Sequence, residues 1–240
     1  MLLSCHNLTV SYQGYPALHK LSCAVQLNTI TAVVGPNGAG KSTFFKALLG
    51  LVSIEAGFIK FHNNITNKDI AYLPQINQIN DFVPLTVIDA VTIGALTNNS
   101  HGVTEKKIAQ AHSLITKVGL TGLADTYISE LSTGQLQRVL FAKMMLQDSR
   151  VLLLDEPFNH VDAKTIDDLS QLLIDLCASG YTILLILHDL MQVRAIANHA
   201  ILIASNLIAS GEVEQVLTTE NLHLAYNNNY IRTHDRCREC

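Results

Sequence analysis

Charge is scarce in this chain. Only 15% of its 240 residues are Asp, Glu, Lys or Arg, against roughly 25% in globular proteins generally. The mean hydropathy is +0.25. So few charges do not cover the surface of a free domain, so part of that surface is expected to face other protein. Basic residues are outnumbered, 16 Lys and Arg to 20 Asp and Glu, for a net charge of −4 at pH 7. A general nucleic-acid binder needs the opposite balance to neutralise phosphates, so that class is disfavoured. Long apolar runs are missing too. The longest, Tyr181–Leu187, is seven residues, which is strand length and far short of the ~18–20 residues of a membrane span. The first residues, Met1-Leu-Leu-Ser-Cys, place no basic region ahead of an apolar stretch, so no secretory signal is expected. Cysteine is sparse and odd in number, with Cys5, Cys23, Cys177, Cys237 and Cys240 at irregular spacing. That excludes a disulfide scaffold and suits a reducing cytosol. No internal repeat, low-complexity tract or long linker is present.

What the chain does have is length enough for one large domain, or a domain with a subdomain, and for a core that needs no metal or disulfide. Short apolar runs of strand length recur at Ile30–Val34, Ile70–Leu73, Val151–Leu154, Thr182–Leu187 and Ala200–Ala204. The last three have almost no polar alternation, the pattern of parallel strands buried on both faces. Helical periodicity lies between them, over Lys41–Leu49, Glu105–Val118, Gln135–Leu146 and Ala163–Cys177. Strand and helix in alternation predict an α/β domain. From about Leu85 to Gln147 there are three helical patterns and no convincing strand, the first opened by Thr86 and Asp89 at capping-box spacing. We expect an all-helical subdomain there, inserted into the α/β core. Leu2–Val10 and Ala17–Val25 alternate as a small antiparallel sheet. Folded structure is expected over residues 1–226, with a tail at 227–240.

Ile30–Val34 runs into Gly35-Pro-Asn-Gly-Ala-Gly-Lys41-Ser42, which fits G-x-x-x-x-G-K-[ST] between a strand and a helix. Glycines let backbone N–H groups curl around phosphates without Cβ clashes. The helix beginning at Lys41 aims its positive end at the anion. Lys41 is of the length to reach the β- and γ-phosphates, and Ser42 suits Mg²⁺. Val151-Leu-Leu-Leu-Asp155-Glu156 is an apolar strand ending in two carboxylates. It suits Asp155 for holding Mg²⁺ and Glu156 for deprotonating an attacking water.

Kinases and small GTPases share such a loop, so it does not decide the function. Leu131-Ser-Thr-Gly-Gln135 does. Ser132 and Gln135 have N-cap and N3 spacing, so a helix start there presents free N–H groups as a second phosphate-binding surface. One nucleotide has little use for two helix starts from one chain; two chains arranged head to tail solve this.

Together these motifs resemble the ATP-binding subunits of ABC transporters over about residues 2–225. Gly35–Ser42 resembles the Walker A loop, Val151–Glu156 Walker B, and Leu131–Gln135 the signature. Gln75 is similar to the Q-loop glutamine, Asn159-His-Val-Asp162 to the D-loop, His188 to the switch histidine, and Tyr12 to the aromatic residue that stacks on adenine. The resemblance implies an ABC-type P-loop ATPase domain, α/β with an antiparallel β subdomain and the all-helical insert. It implies ATP and Mg²⁺ as ligands, with catalysis by Glu156 and His188. Nucleotide contacts are then expected from Tyr12, Gly35, Pro36, Asn37, Gly38, Ala39, Gly40, Lys41, Ser42, Thr43 and Gln75. Ser132, Gly134, Gln135 and Asp162 are expected to act across a head-to-tail dimer. Ser42, Gln75 and Asp155 are the expected Mg²⁺ ligands. One departure is Thr133, where the usual signature L-S-G-G-Q has glycine. It adds a Cβ and a hydroxyl at a crowded helix start, so closure is expected to be weaker but not lost.

Asp155-Glu-Pro-Phe-Asn-His-Val-Asp-Ala-Lys164 and Val216–Tyr226 are similar to metal-ion importers within this family. This implies Zn²⁺ or Mn²⁺ transport with membrane permease subunits and a solute-binding protein, from the cytoplasmic face of the membrane. The permease is expected to seat beside Gln75 and Leu85–Leu96. His234, Cys237 and Cys240 form a partial thiolate and imidazole set that suits Zn²⁺ over Mn²⁺, or a disordered end. The alternatives are an importer of iron chelates or cobalamin, and a soluble ABC ATPase acting on ribosomes or DNA. Against the second, there is neither a second nucleotide module nor a long coiled-coil insert. Glu156 and His188 argue against a degenerate, non-enzymatic module.

Overall fold

The computed structural model describes residues 1–66, 69–75, 84–97 and 103–226. Two sheets carry the architecture. Strands β1 (Leu3–Tyr12), β2 (Tyr15–Val25) and, later in the chain, β4 (Ala56–Phe61) form an antiparallel sheet in the order β2-β1-β4. Strands β3 (Ile30–Val34), β5 (Ile70–Leu73), β6 (Val151–Asp155), β7 (Thr182–Ile186), β8 (His199–Ala204) and β9 (Asn206–Glu212) form a second sheet in the order β5-β6-β7-β3-β8-β9. All its pairings are parallel except β8 with β9.

The continuous apolar runs have a direct cause. Alternate residues of each central strand serve two different cores. Val33, Leu153 and Leu184 pack with the antiparallel sheet and with Phe44 and Phe45 of helix α1 (Lys41–Leu48). Ala32, Val34, Leu152, Leu154 and Leu185 pack on the other side, toward Phe141, Leu169 and Leu173. Period-2 strands with both faces covered are mostly apolar, and the polar exceptions, Thr31, Asp155 and Thr182, are buried with the rest.

Between β5 and β6 the regular elements among the described residues are all helices, joined by turns. These are α2 (Val87–Thr92) with a 3₁₀ continuation at Ile93–Thr97, α3 (Glu105–Lys117), a 3₁₀ turn at Ile128–Glu130 and α4 (Thr133–Met145). The only β pairing among them is an isolated bridge of Thr86 with Tyr127. Thr86 and Asp89 form the expected capping box. α4 joins this region to the core through Arg138. Its guanidinium donates to Val118 O at 2.9 Å, to Thr165 Oγ1 at 3.2 Å and to Asp168 Oδ2 at 2.7 Å. Thr165 and Asp168 lie on α5 (Ala163–Ala178), capped by Asp162. Two short helices, α6 (Leu190–Ile196) and α7 (Val213–Val216), follow β7 and β9.

Candidate active site

The catalytic candidates sit where parallel strands end. β3 delivers the loop before α1, β6 delivers Asp155 and Glu156, and β7 ends just before His188. In an open α/β sheet this carboxyl end, where neighbouring strands diverge, is the ligand crevice. A cleft of about 760 Å³ occupies it, lined by Tyr12, Ala17, residues 37–43, Gln75, Glu156, Asn159 and His188. Tyr12 enters from the end of β1, half exposed and paired across the turn with Tyr15.

The loop glycines answer to backbone as much as to ligand. A Cβ on Gly35 would lie 2.0 Å from Ile203 O, and one on Gly40 would lie 2.5 Å from Ala17 O. Gly38 has open space around it. Gly35 and Gly40 therefore let the loop press against β8 and β2, while Gly38 faces the cleft.

Lys41 is 6% exposed. Its ammonium donates to Gly35 O at 2.8 Å and to Pro36 O at 3.0 Å. Burial pulls its pKa below the ordinary lysine value, and the nearby Glu156 and Asp155 carboxylates pull it back up. Asp155 is 3% exposed, and its Oδ1 has no hydrogen-bond partner among the described residues. Burial raises its pKa, with the Ser42 hydroxyl acting in the opposite direction. Tyr72 Oη donates to Asp155 Oδ2 at 3.4 Å. Burial beside that carboxylate pushes the phenol up to about 12. A buried carboxylate oxygen with an open lone pair, next to a serine hydroxyl, is a hard-oxygen donor set that fits Mg²⁺.

Glu156 is the most heavily engaged group. Gln75 Nε2 donates to its Oε2 at 2.5 Å, Asn159 Nδ2 donates to the same oxygen, and His188 Nε2 is bonded to Oε1. Sequence reasoning gave Asn159 and Tyr72 no role. Asn159 stood inside the D-loop segment, and its spacing of three residues from Glu156 was the available signal.

The signature residues lie elsewhere. Ser132 and Gln135 form a capping box, Ser132 N–H donating to Gln135 Oε1 at 2.9 Å and Gln135 N–H to Ser132 Oγ at 3.2 Å. Gly134 is packed against α5, where a Cβ would meet Asp162 Oδ2 at 3.0 Å and Thr165 Oγ1 at 3.2 Å. Ser132, Gly134, Gln135 and Asp162 do not line the cleft, and neither do Gly35, Pro36 and the buried Asp155. Thr133 occupies the first helical position of α4 with an exposed side chain. The crowding expected there is absent within one chain, so any effect arises against a second copy. Thr133→Gly should leave ATP turnover unchanged or faster in a steady-state ATPase assay. A tenfold loss with folding intact would give Thr133 a role of its own. His234, Cys237 and Cys240 lie outside the described residues.

Residues 18–159 match the ABC transporter family. The chain is 34% identical over 232 residues to the manganese transport system ATP-binding protein MntA of Synechocystis, covering 93% of this chain and 89% of that one. It is 36% identical over 227 residues to the zinc transport system ATP-binding protein TroB of Treponema pallidum, covering 92% and 85%. Among solved structures it is similar to an inward-facing ABC transporter assigned to the metal-chelate type. There the TM-score is 0.83 at 31% identity, covering 94% of this chain and 89% of that one.

Proposed function

The chain belongs to the ABC transporter family, and on that premise we propose that it is the ATP-hydrolysing subunit of an importer for divalent metal ions. The observation that carries the hydrolytic part is the convergence of Lys41, Glu156 and His188 around one cleft at the carboxyl ends of β3, β6 and β7, with Asp155 buried at the end of β6 beside Glu156. Tyr12 offers its ring face to adenine. The backbone N–H groups of residues 37–43 and the Lys41 ammonium hold the phosphates. Asp155, Ser42 and Gln75 would hold Mg²⁺, which supplies neutralising charge on the phosphate oxygens. Glu156 takes the proton of the attacking water and His188 contacts the γ-phosphate. The water's O–H bond breaks, its oxygen bonds to the γ-phosphorus, and the bridging P–O bond breaks to leave ADP and phosphate.

The position of the signature supports a head-to-tail dimer. The start of α4 is outside its own cleft, so a second copy brings Ser132, Gly134 and Gln135 to the γ-phosphate. No helix among the described residues is long and apolar enough to cross a membrane. In this reading, coupling runs through a permease at the cytoplasmic face. Ile93 and Leu96, 36% and 49% exposed beyond α2, offer it apolar contact.

The metal cargo is supported by the Asp155–Lys164 segment and by relatives that transport manganese and zinc. Zn²⁺ is placed ahead of Mn²⁺ on the thiolates and imidazole of the tail. The similarity to a metal-chelate transporter favours, as a second reading, an importer of iron chelates or cobalamin. The deciding experiment is ATPase rate in the complex reconstituted with its permease and solute-binding protein. Severalfold stimulation by Zn²⁺, and less by Mn²⁺ or Fe²⁺, is expected. Stimulation by a ferric chelate or cobalamin alone would replace the first reading with the second.

A further inference from the structure

Glu156 holds a left-handed backbone conformation, φ 52°, which residues bearing a Cβ rarely adopt. Asn159 grips that residue twice. Its backbone N–H donates to Glu156 O at 3.3 Å, closing the turn. Its side-chain Nδ2 donates to Glu156 Oε2. Gln75 takes the same oxygen at 2.5 Å, and His188 takes Oε1. An ionised carboxylate offers about four acceptor directions, two on each oxygen. Both directions of Oε2 are filled. The remaining one is on Oε1, beside His188.

We propose that Asn159 is a positioning residue for hydrolysis: by donating to Oε2 it fixes the rotation of the carboxylate, so that Oε1, next to His188, is the oxygen turned to the attacking water and the atom that accepts the proton. The proposal rests on the reading of Glu156 as the base. Gln75 comes from a segment 81 residues away and is assigned above to Mg²⁺ once nucleotide binds. Asn159 is three residues from Glu156 and moves with it, so it is the donor that stays on Oε2 through the reaction. The oxygen that receives the proton is then the one nearest the histidine that meets the γ-phosphate.

The test uses the full chain and three substitutions, with turnover measured against ATP concentration. Asn159→Ala frees the carboxylate to rotate, so kcat falls about tenfold while KM for ATP stays within about twofold. Asn159→Asp keeps the shape and the backbone bond that closes the turn but has no side-chain N–H, and it sets a second carboxylate against Oε2. Its kcat falls at least as far. In a Glu156→Gln background, Asn159→Ala adds no further loss in single-turnover phosphate release, because Asn159 acts through that carboxylate. Wild-type kcat in Asn159→Asp would reduce the residue to a turn former and overturn the proposal. So would a full tenfold further loss in the Glu156→Gln background. If Glu156→Gln itself turns over normally, the base assignment fails and the proposal with it. If that variant is inactive while both Asn159 variants are unimpaired, only the role of Asn159 is lost.

Discussion

Glu156→Gln should stop hydrolysis and trap ATP. The substitution keeps the shape of the side chain, and the hydrogen-bond pattern around it can be kept as well. Gln75 and Asn159 both donate to Oε2, so an amide oxygen placed there accepts both. The amide NH₂ then faces His188 Nε2, which accepts in the neutral tautomer that carries its proton on Nδ1. The variant therefore folds and binds nucleotide within about threefold of the wild type. What it lacks is an acceptor basic enough to take a proton from water, a function that contributes about 10²–10⁴ in rate. We expect kcat to fall by at least about a hundredfold. With turnover blocked, ATP holds two copies together, so size-exclusion chromatography with Mg²⁺-ATP should show a dimer. Near-normal turnover would remove Glu156 from the chemistry.

The parallel strands were legible because each is a short, mainly apolar run, and that follows from serving two cores at once. β4 and β9 were not read from sequence. β4 is largely exposed at a sheet edge, and its Gly57 sits where a Cβ would meet His6 O at 2.3 Å. β9 is an antiparallel edge strand of mixed polarity, Asn-Leu-Ile-Ala-Ser-Gly-Glu. Neither has the pattern of a buried strand. The same division runs through the site. Lys41, Asp155 and Glu156 announce themselves by spacing along the chain. Tyr72 meets Asp155 only because β5 pairs with β6, Leu73 lying opposite Leu154. Asn159 reaches Glu156 only because the turn between them is left-handed at Glu156. Gly35 and Gly40 were legible as necessary, but the carbonyls that require them, Ile203 O and Ala17 O, belong to other strands.

Lys41→Met should remove nucleotide binding with little change in the empty protein. Lysine has three N–H donors. Two are spent on Gly35 O and Pro36 O, which fixes the ammonium under the loop and leaves one donor and the full charge for the phosphates. Methionine keeps the buried stem and loses both. The ammonium also bears a burial cost, seen in its lowered pKa, and losing that cost offsets part of the lost bonds to the loop. Asp155, already raised by burial, loses a neighbouring cation and takes up a proton more readily, which limits the damage in the empty state. The nucleotide has no such compensation. A loss of at least about a hundredfold in ATP affinity is expected, equivalent to ~2.7 kcal/mol. Thermal unfolding reads both effects. At an ATP concentration of about 100 times the wild-type Kd, binding stabilises the wild type by ~2.7 kcal/mol, or roughly 5–10 °C for a chain of this size. The variant at that concentration gains only about 0.4 kcal/mol, near 1 °C. Midpoints without nucleotide should agree within a few degrees. A preserved ATP shift would take Lys41 out of phosphate binding, whereas a collapsed midpoint without ATP would make its two carbonyl bonds a structural requirement of the loop.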